Sequence, residues 1–148
     1  GRPWLQAPLA GYGTGWSHSG DLLLVGLGEG VRLGVDLERV RPRPRLLEVA
    51  RRFFHPDEIA LLEALDPAPR DALFFRIWCA KEALLKAHGH GLSFGLHRLA
   101  FAEREGALRL AWCDPALGEA ARWHLHEWQA TPDYRAALAW CRGRDWGF

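Results

Sequence analysis

The stretch FFRIWCAKEALLKAHGHGL, Phe74 to Leu92, holds both lysines of a chain that otherwise has 17 arginines. A lysine ammonium is a compact charge whose pKa falls on desolvation, so it can donate a proton where a guanidinium cannot. Phe74, Trp78, Glu82 and Lys86 recur every four residues, and Leu85 joins them at i+7 from Trp78, so they form one helical stripe. A glutamate on an otherwise apolar stripe does not face solvent, and a buried carboxylate needs a partner. A plain Glu82–Lys86 surface pair, worth ~0.3–0.5 kcal/mol, leaves Phe74 and Trp78 unexplained. Lys86 is therefore placed for proton donation. Lys81, off the stripe, reaches either a substrate phosphate or the solvent.

A second set of carboxylates lies in GVDLE, Gly34 to Glu38. Strand side chains alternate, so Asp36 and Glu38 share a face and Leu37 points into the core. Two same-face carboxylates repel unless a positive charge sits between them. A hard divalent cation such as Mg²⁺ suits that role; a solvated edge with Arg39 as local partner is the alternative. Glu82 would be the third oxygen ligand. In WSHSG, Trp16 to Gly20, Ser17 and Ser19 share a face and His18 faces the other way, where it contacts a phosphate or serves structure. His88 and His90 flank the helix end as caps. His124 and His126 alternate on a strand with no third ligand evident.

These residues need elements to hold them. Trp16 to Ser19 reads as a short strand, Leu22 to Leu27 as a buried strand, and Val31 to Glu38 as a half-buried one, together a meander. Pro42 and Pro44 exclude a strand or an early helix in RVRPRPR. Leu46 to Phe54 has helical spacing. HPDE starts a second helix at Pro56 that runs to about Leu65. The long helix begins at Asp71 after DPAPR and is ended by Gly89 and Gly91. Arg98 to Glu103 with Leu108 to Trp112, and Arg122 to Gln129 with Tyr134 to Trp140, read as hairpins. Helices and antiparallel strands are segregated, which argues an α+β fold.

A chain of 148 residues suits one domain. The formal net charge of +1 names no strongly charged partner. Cys79, Cys113 and Cys141 are odd in number, widely spaced and without a CxxC pair, which fits a reducing, cytoplasmic compartment. No apolar run reaches the roughly 18–20 residues of a membrane span, and no signal peptide is evident. No Met is present, even at position 1, so the chain starts after processing or is a piece of something longer. The eight tryptophans are scattered and read as packing rather than as a base-stacking surface.

Taken together, WSHS, GVDLE and FFRIWCAKEALLKAHGHGL resemble the signature set of the Sfp-type 4′-phosphopantetheinyl transferases: SHS, then G-[VI]-D-x-E, then F-x-x-x-W-x-x-K-E-[AS]-x-x-K-x-x-G-x-G-L. The last is met by Phe74, Trp78, Lys81, Glu82, Ala83, Lys86, Gly89, Gly91 and Leu92 without a gap, and FFHPDE is similar to the family's intervening stretch. The resemblance implies an antiparallel sheet packed against a long helix. It implies transfer of the 4′-phosphopantetheine arm of coenzyme A to a serine of an acyl or peptidyl carrier protein, with release of 3′,5′-ADP. Asp36, Glu38 and Glu82 would hold Mg²⁺, with Mn²⁺ as the alternative. Glu82 would help deprotonate the serine, and Lys86 would stabilise or protonate the departing phosphate. Arg2, Ser17, His18 and Lys81 would contact coenzyme A. Gly15 stands where relatives commonly have Asn. Residues 1–33 would be the remnant of a first half and residues 34–148 a complete second half, and a chain so reduced can compensate by oligomerising.

Arg39 to Arg52 is arginine-rich and either docks an acidic carrier protein or is a solvated face balanced by Glu48, Asp57 and Glu58. A fragment that binds coenzyme A or a carrier protein without turnover carries the same motifs. A Mg²⁺-dependent nuclease with Glu-x-Lys on a strand is disfavoured, because Glu82 and Lys86 have helical spacing. No RNP-like or KH-like motif supports a nucleic-acid partner.

Overall fold

The structure, a computed structural model, describes residues 5–7, 10–89 and 91–143. The alternating segment forms β3 (Val31–Arg39), which pairs antiparallel along its length with β7 (Tyr134–Arg142). β6 (His124–Thr131) completes a sheet ordered β3-β7-β6. The expected meander is therefore corrected. β1 (Tyr12–Ser19) and β2 (Leu22–Glu29) pair only with each other and form a hairpin laid against β3. The reason lies in the hairpin's inner face, which carries Gly13, Gly15, Gly26 and Gly28. A Cβ at Gly26 would stand 3.0 Å from Leu33 Cδ1 and one at Gly13 would meet the Val31 carbonyl, so a side-chain-bearing face could not lie so close. β2 is not a buried strand: its residues alternate between half-buried and exposed.

Three helices follow β3: α1 (Leu46–Phe53), α2 (Pro56–Glu63) and α3 (Pro67–His88). α2 opens with a capping box: His55 Nδ1 accepts from Asp57 N, and Glu58 Oε1 accepts from His55 N. α3 starts four residues before Asp71, because Pro67 lies in the first turn, where a missing N–H costs no hydrogen bond. It ends at Gly89, whose φ of 91° takes the left-handed cap and whose N–H donates to Leu85 O. β4 (Leu99–Arg104) and β5 (Ala107–Cys113) form the second hairpin. The molecule is α+β, with α3 across the β3-β7 sheet and a core of Phe74, Ile77, Leu84, Leu85, Leu46, Leu62, Leu99 and Phe101.

α3 meets β3 backbone to backbone at Gly34. A Cβ there would stand 2.1 Å from Ala83 O and 2.4 Å from Ala87 N, both backbone atoms of the helix. Gly34→Ala is expected to destabilise the fold by about 3 kcal/mol, read as a lowered urea midpoint. An unchanged midpoint would mean that α3 can retreat from the sheet without cost.

Candidate functional site

Gly34 sets the site. Residues two and four further along β3 share its face, so Asp36 and Glu38 also look toward α3. Asp36 is 4% exposed. Its Oδ1 accepts from Lys86 Nζ at 2.8 Å, and Lys86 Nζ also reaches Ser17 Oγ at 3.4 Å. Ser17 in turn accepts from Leu37 N at 3.2 Å, which ties β1 to β3 at this point. Glu38 Oε1 accepts from the Trp78 indole N–H at 3.1 Å. Glu82, half-buried one turn past Trp78 on α3, adds its charge to those of Asp36 and Glu38. The structure thus brings together Ser17, Asp36, Glu38, Glu82 and Lys86.

The cluster sets three carboxyl groups against one ammonium. Burial, then hydrogen bonding to Asp36 and the charges of Asp36 and Glu82, push the Glu38 carboxyl up to about 8, against the Trp78 hydrogen bond. Burial and the charge of Asp36 raise Glu82 to about 7, against the pull of Lys86. Asp36 Oδ2 is buried with no hydrogen-bond partner among the described residues. Such an atom is costly unless something binds it. As the side chains stand, no group of three His, Cys, Asp or Glu among the described residues is arranged to hold a metal ion, and Lys86 sits on Asp36. The oxygen-only donors and the orphaned Oδ2 nonetheless fit a hard divalent cation.

Two residues enter that sequence reasoning gave no role. Trp78 is stacked with Phe74 (6.0 Å) beside Phe54, and Arg43 lies over Trp78 and Phe74 at 5.7 and 5.9 Å, so the indole that holds Glu38 is itself fixed. The i, i+4 spacing from Trp78 to Glu82 was the available signal. Cys79 Sγ donates to the Asp36 carbonyl at 3.4 Å; its thiol pKa is raised by burial and by the nearby carboxylates, and no local pattern marks it.

Lys81 is a correction. It is fully buried and donates to Leu96 O (2.6 Å) and Leu99 O (2.5 Å), with Glu58 Oε1 at 2.6 Å. It therefore reaches neither solvent nor a phosphate in this arrangement. One helical step from Glu82 turns it inward, away from β3. His18 is exposed on the hairpin face opposite Ser17, away from the carboxylates. Arg2 and His90 lie outside the described residues. His124 stacks on Trp140 at 4.1 Å and His126 on Trp128 at 5.2 Å, which gives both rings a packing role.

Beside Glu38 opens a cleft of about 490 Å³ lined by Ser19, Glu38, Arg39, Arg41, Arg43 and Tyr134, among others. Of the acidic residues that could balance this arginine run, Glu48 pairs with Arg45 inside it, whereas Glu58 is taken by Lys81 and Asp57 lies beside His55. Among the described residues, Arg39 and Arg41 have no ion-pair partner.

Comparison with known proteins places this arrangement. A 4′-phosphopantetheinyl transferase superfamily profile matches residues 32–139, the span from β3 to β7. A Synechocystis sp. protein named as a 4′-phosphopantetheinyl transferase is 37% identical over 131 residues, covering 84% of this chain and 52% of that protein. The 4′-phosphopantetheinyl transferase HetI of Nostoc sp. is 43% identical over 77 residues, 52% of this chain and 32% of HetI. The chain thus spans about half the length of the first of these relatives and a third of the second. Among solved structures, the Chronobacterium ammoniagenes ACPS–CoA complex shares the fold, with a TM-score of 0.57 at 19% identity over 77% of this chain and 98% of that one. With the profile spanning both the aspartate strand and the glutamate–lysine helix, the chain belongs to the 4′-phosphopantetheinyl transferase superfamily.

Proposed function

We propose that this chain transfers the 4′-phosphopantetheine arm of coenzyme A to a serine of an acyl or peptidyl carrier protein, with Mg²⁺ and with release of 3′,5′-ADP. The observation that carries the reading is the convergence of Asp36, Glu38, Glu82 and Lys86 on one patch, with Asp36 Oδ2 left without a partner. Asp36, Glu38 and Glu82 would hold the cation, which when bound offsets charge on the pyrophosphate oxygens.

The chain's own residues supply the rest. Lys86, within 2.8 Å of Asp36, would donate hydrogen bonds or a proton to the leaving phosphate. Glu82, one turn away, would also be placed to help deprotonate the incoming serine, directly or through water. Ser17 holds β1 against β3 and brings its hydroxyl within 3.4 Å of Lys86 Nζ. Arg2 would serve the nucleotide end, and His18 could join it only from the outer face of the hairpin, away from the carboxylates. The arginine-lined cleft beside Glu38 suits the acidic surface of a carrier protein, since its free guanidinium groups attract carboxylates over several ångström.

The test is intact-protein mass spectrometry of an apo carrier protein incubated with this chain, coenzyme A and Mg²⁺. A mass gain of one phosphopantetheine, absent with EDTA and with Glu82→Gln, is the expected result. Coenzyme A binding without any mass gain across several carriers would instead support a binding fragment without turnover.

A further inference from the structure

Arg39, Arg41 and Arg43 all line the cleft beside Glu38, but Arg43 sits differently from the other two. It stands between Pro42 and Pro44. A following proline confines a residue to extended backbone, and a preceding one has its own φ fixed. Both ends of the loop are tied as well: Val40 N donates to Asp133 O at 2.7 Å, and Leu46 N to Arg43 O at 3.1 Å. A side chain on so restricted a backbone has few directions open to it. The Arg43 guanidinium lies 5.7 Å from the centre of the Trp78 ring and 5.9 Å from that of Phe74. Among the described residues, Arg39 and Arg41 lie over no aromatic ring.

We propose that Arg43 is a positioning residue of the carboxylate cluster, acting on Glu38 through Trp78, and not a third docking charge beside Arg39 and Arg41. Asp36 and Glu38 share a face of β3, and like charges push apart. Glu38 is half-buried near the end of its strand, next to exposed Arg39, so it has solvent to turn into. The Trp78 indole N–H, 3.1 Å from Glu38 Oε1, holds it toward α3 and the other carboxylates. That hold is only as firm as the indole itself. Buried Phe54 and Phe74 pack the ring from within, at 6.2 and 6.0 Å. Arg43, exposed in the cleft, adds the cover that the protein core does not supply. A guanidinium suits that task, because it is planar, weakly hydrated and always charged, and it is drawn to the face of an indole. The inference rests on the cation reading of the site. Groups that orient a metal ligand from outside typically change metal affinity by roughly 10–100-fold when they are lost. Charge alone predicts the opposite sign: deleting a positive group near the site should tighten the binding of a cation.

Two measurements test this, and neither needs turnover. In a chain isotope-labelled at the tryptophan ring nitrogens, the Trp78 N–H is the resonance lost in Trp78→Phe. Arg43→Gln is expected to speed the exchange of that proton with water. Calorimetric titration with Mg²⁺ alone is expected to show an affinity lowered by roughly 10-fold in the same variant. Arg41→Gln, which removes the same charge from the same loop without uncovering the indole, should keep the parental exchange rate and bind Mg²⁺ at least as tightly as the parent. Arg43 is exposed, so circular dichroism of Arg43→Gln should match that of the parent. Parental or tighter Mg²⁺ binding in Arg43→Gln overturns this inference alone, whatever the exchange rate, and leaves Arg43 a docking charge. An equal loss of affinity in Arg41→Gln overturns it too, because the effect then belongs to the loop and not to the ring contact. A parent chain that binds no Mg²⁺ overturns the cation reading and this inference with it.

Discussion

Asp36→Asn is expected to slow carrier modification by on the order of 10³-fold while melting, in metal-free buffer, at least as high as the parent chain. The two effects have one cause. Asp36 is nearly buried, has one oxygen on Lys86 and the other on nothing, and raises the carboxyl pKa values of both Glu38 and Glu82. A group so placed costs stability in the free protein, because like charges are held together and a lone pair is left unsatisfied. An amide removes the repulsion and keeps the shape. It also removes the anionic oxygen best placed to bind a cation. In the parent chain, adding Mg²⁺ should raise the melting temperature by mass action, and in Asp36→Asn that shift should vanish. The checks are thermal melting with and without Mg²⁺ and the carrier mass-gain rate. A variant that is markedly destabilised, or that transfers at the parental rate, would show Asp36 to be a structural ion-pair residue.

The same residue shows how much could be read from sequence. Period-two alternation put Asp36 and Glu38 on one face, and the four-residue spacing of Trp78, Glu82 and Lys86 put them on another. The structure sets these two faces against each other. Local periodicity could not say which strand pairs with β3. That partner is β7, about a hundred residues on, and the pairing depends on the glycine-lined hairpin leaving the edge of β3 free. Nor could it show the outward turn of Leu23, Val25 and Leu27, since an apolar run reads as buried until its neighbours are known. The helix start was missed for a more local reason: Pro67 was read as a breaker, although proline in a first turn leaves the helix intact.

Lys81 was misread because an off-stripe lysine on a helix is usually solvated, and here it is the most deeply buried cation among the described residues. Lys81→Met is expected to destabilise the fold by about 3–5 kcal/mol. All three ammonium protons are used, on Glu58, Leu96 O and Leu99 O, and Glu58 also accepts from His55 N and from Phe101 N at 2.8 Å. One ion pair thereby ties α3 to the start of α2 and to β4. Burial works against both charges, lowering the Lys81 pKa and raising that of Glu58, and the charge of each opposes the shift of the other. Removing only the lysine strands a carboxylate with no exposure to water. Glu58→Gln combined with Lys81→Met should therefore recover part of the loss, because no buried charge remains uncompensated. Urea titration of both single variants and the double variant gives the coupling. Coenzyme A affinity, measured on the folded fraction, should be unchanged in all three. If Lys81→Met instead melts like the parent and binds coenzyme A weakly, the lysine serves the substrate, and α3 must turn during binding to present it.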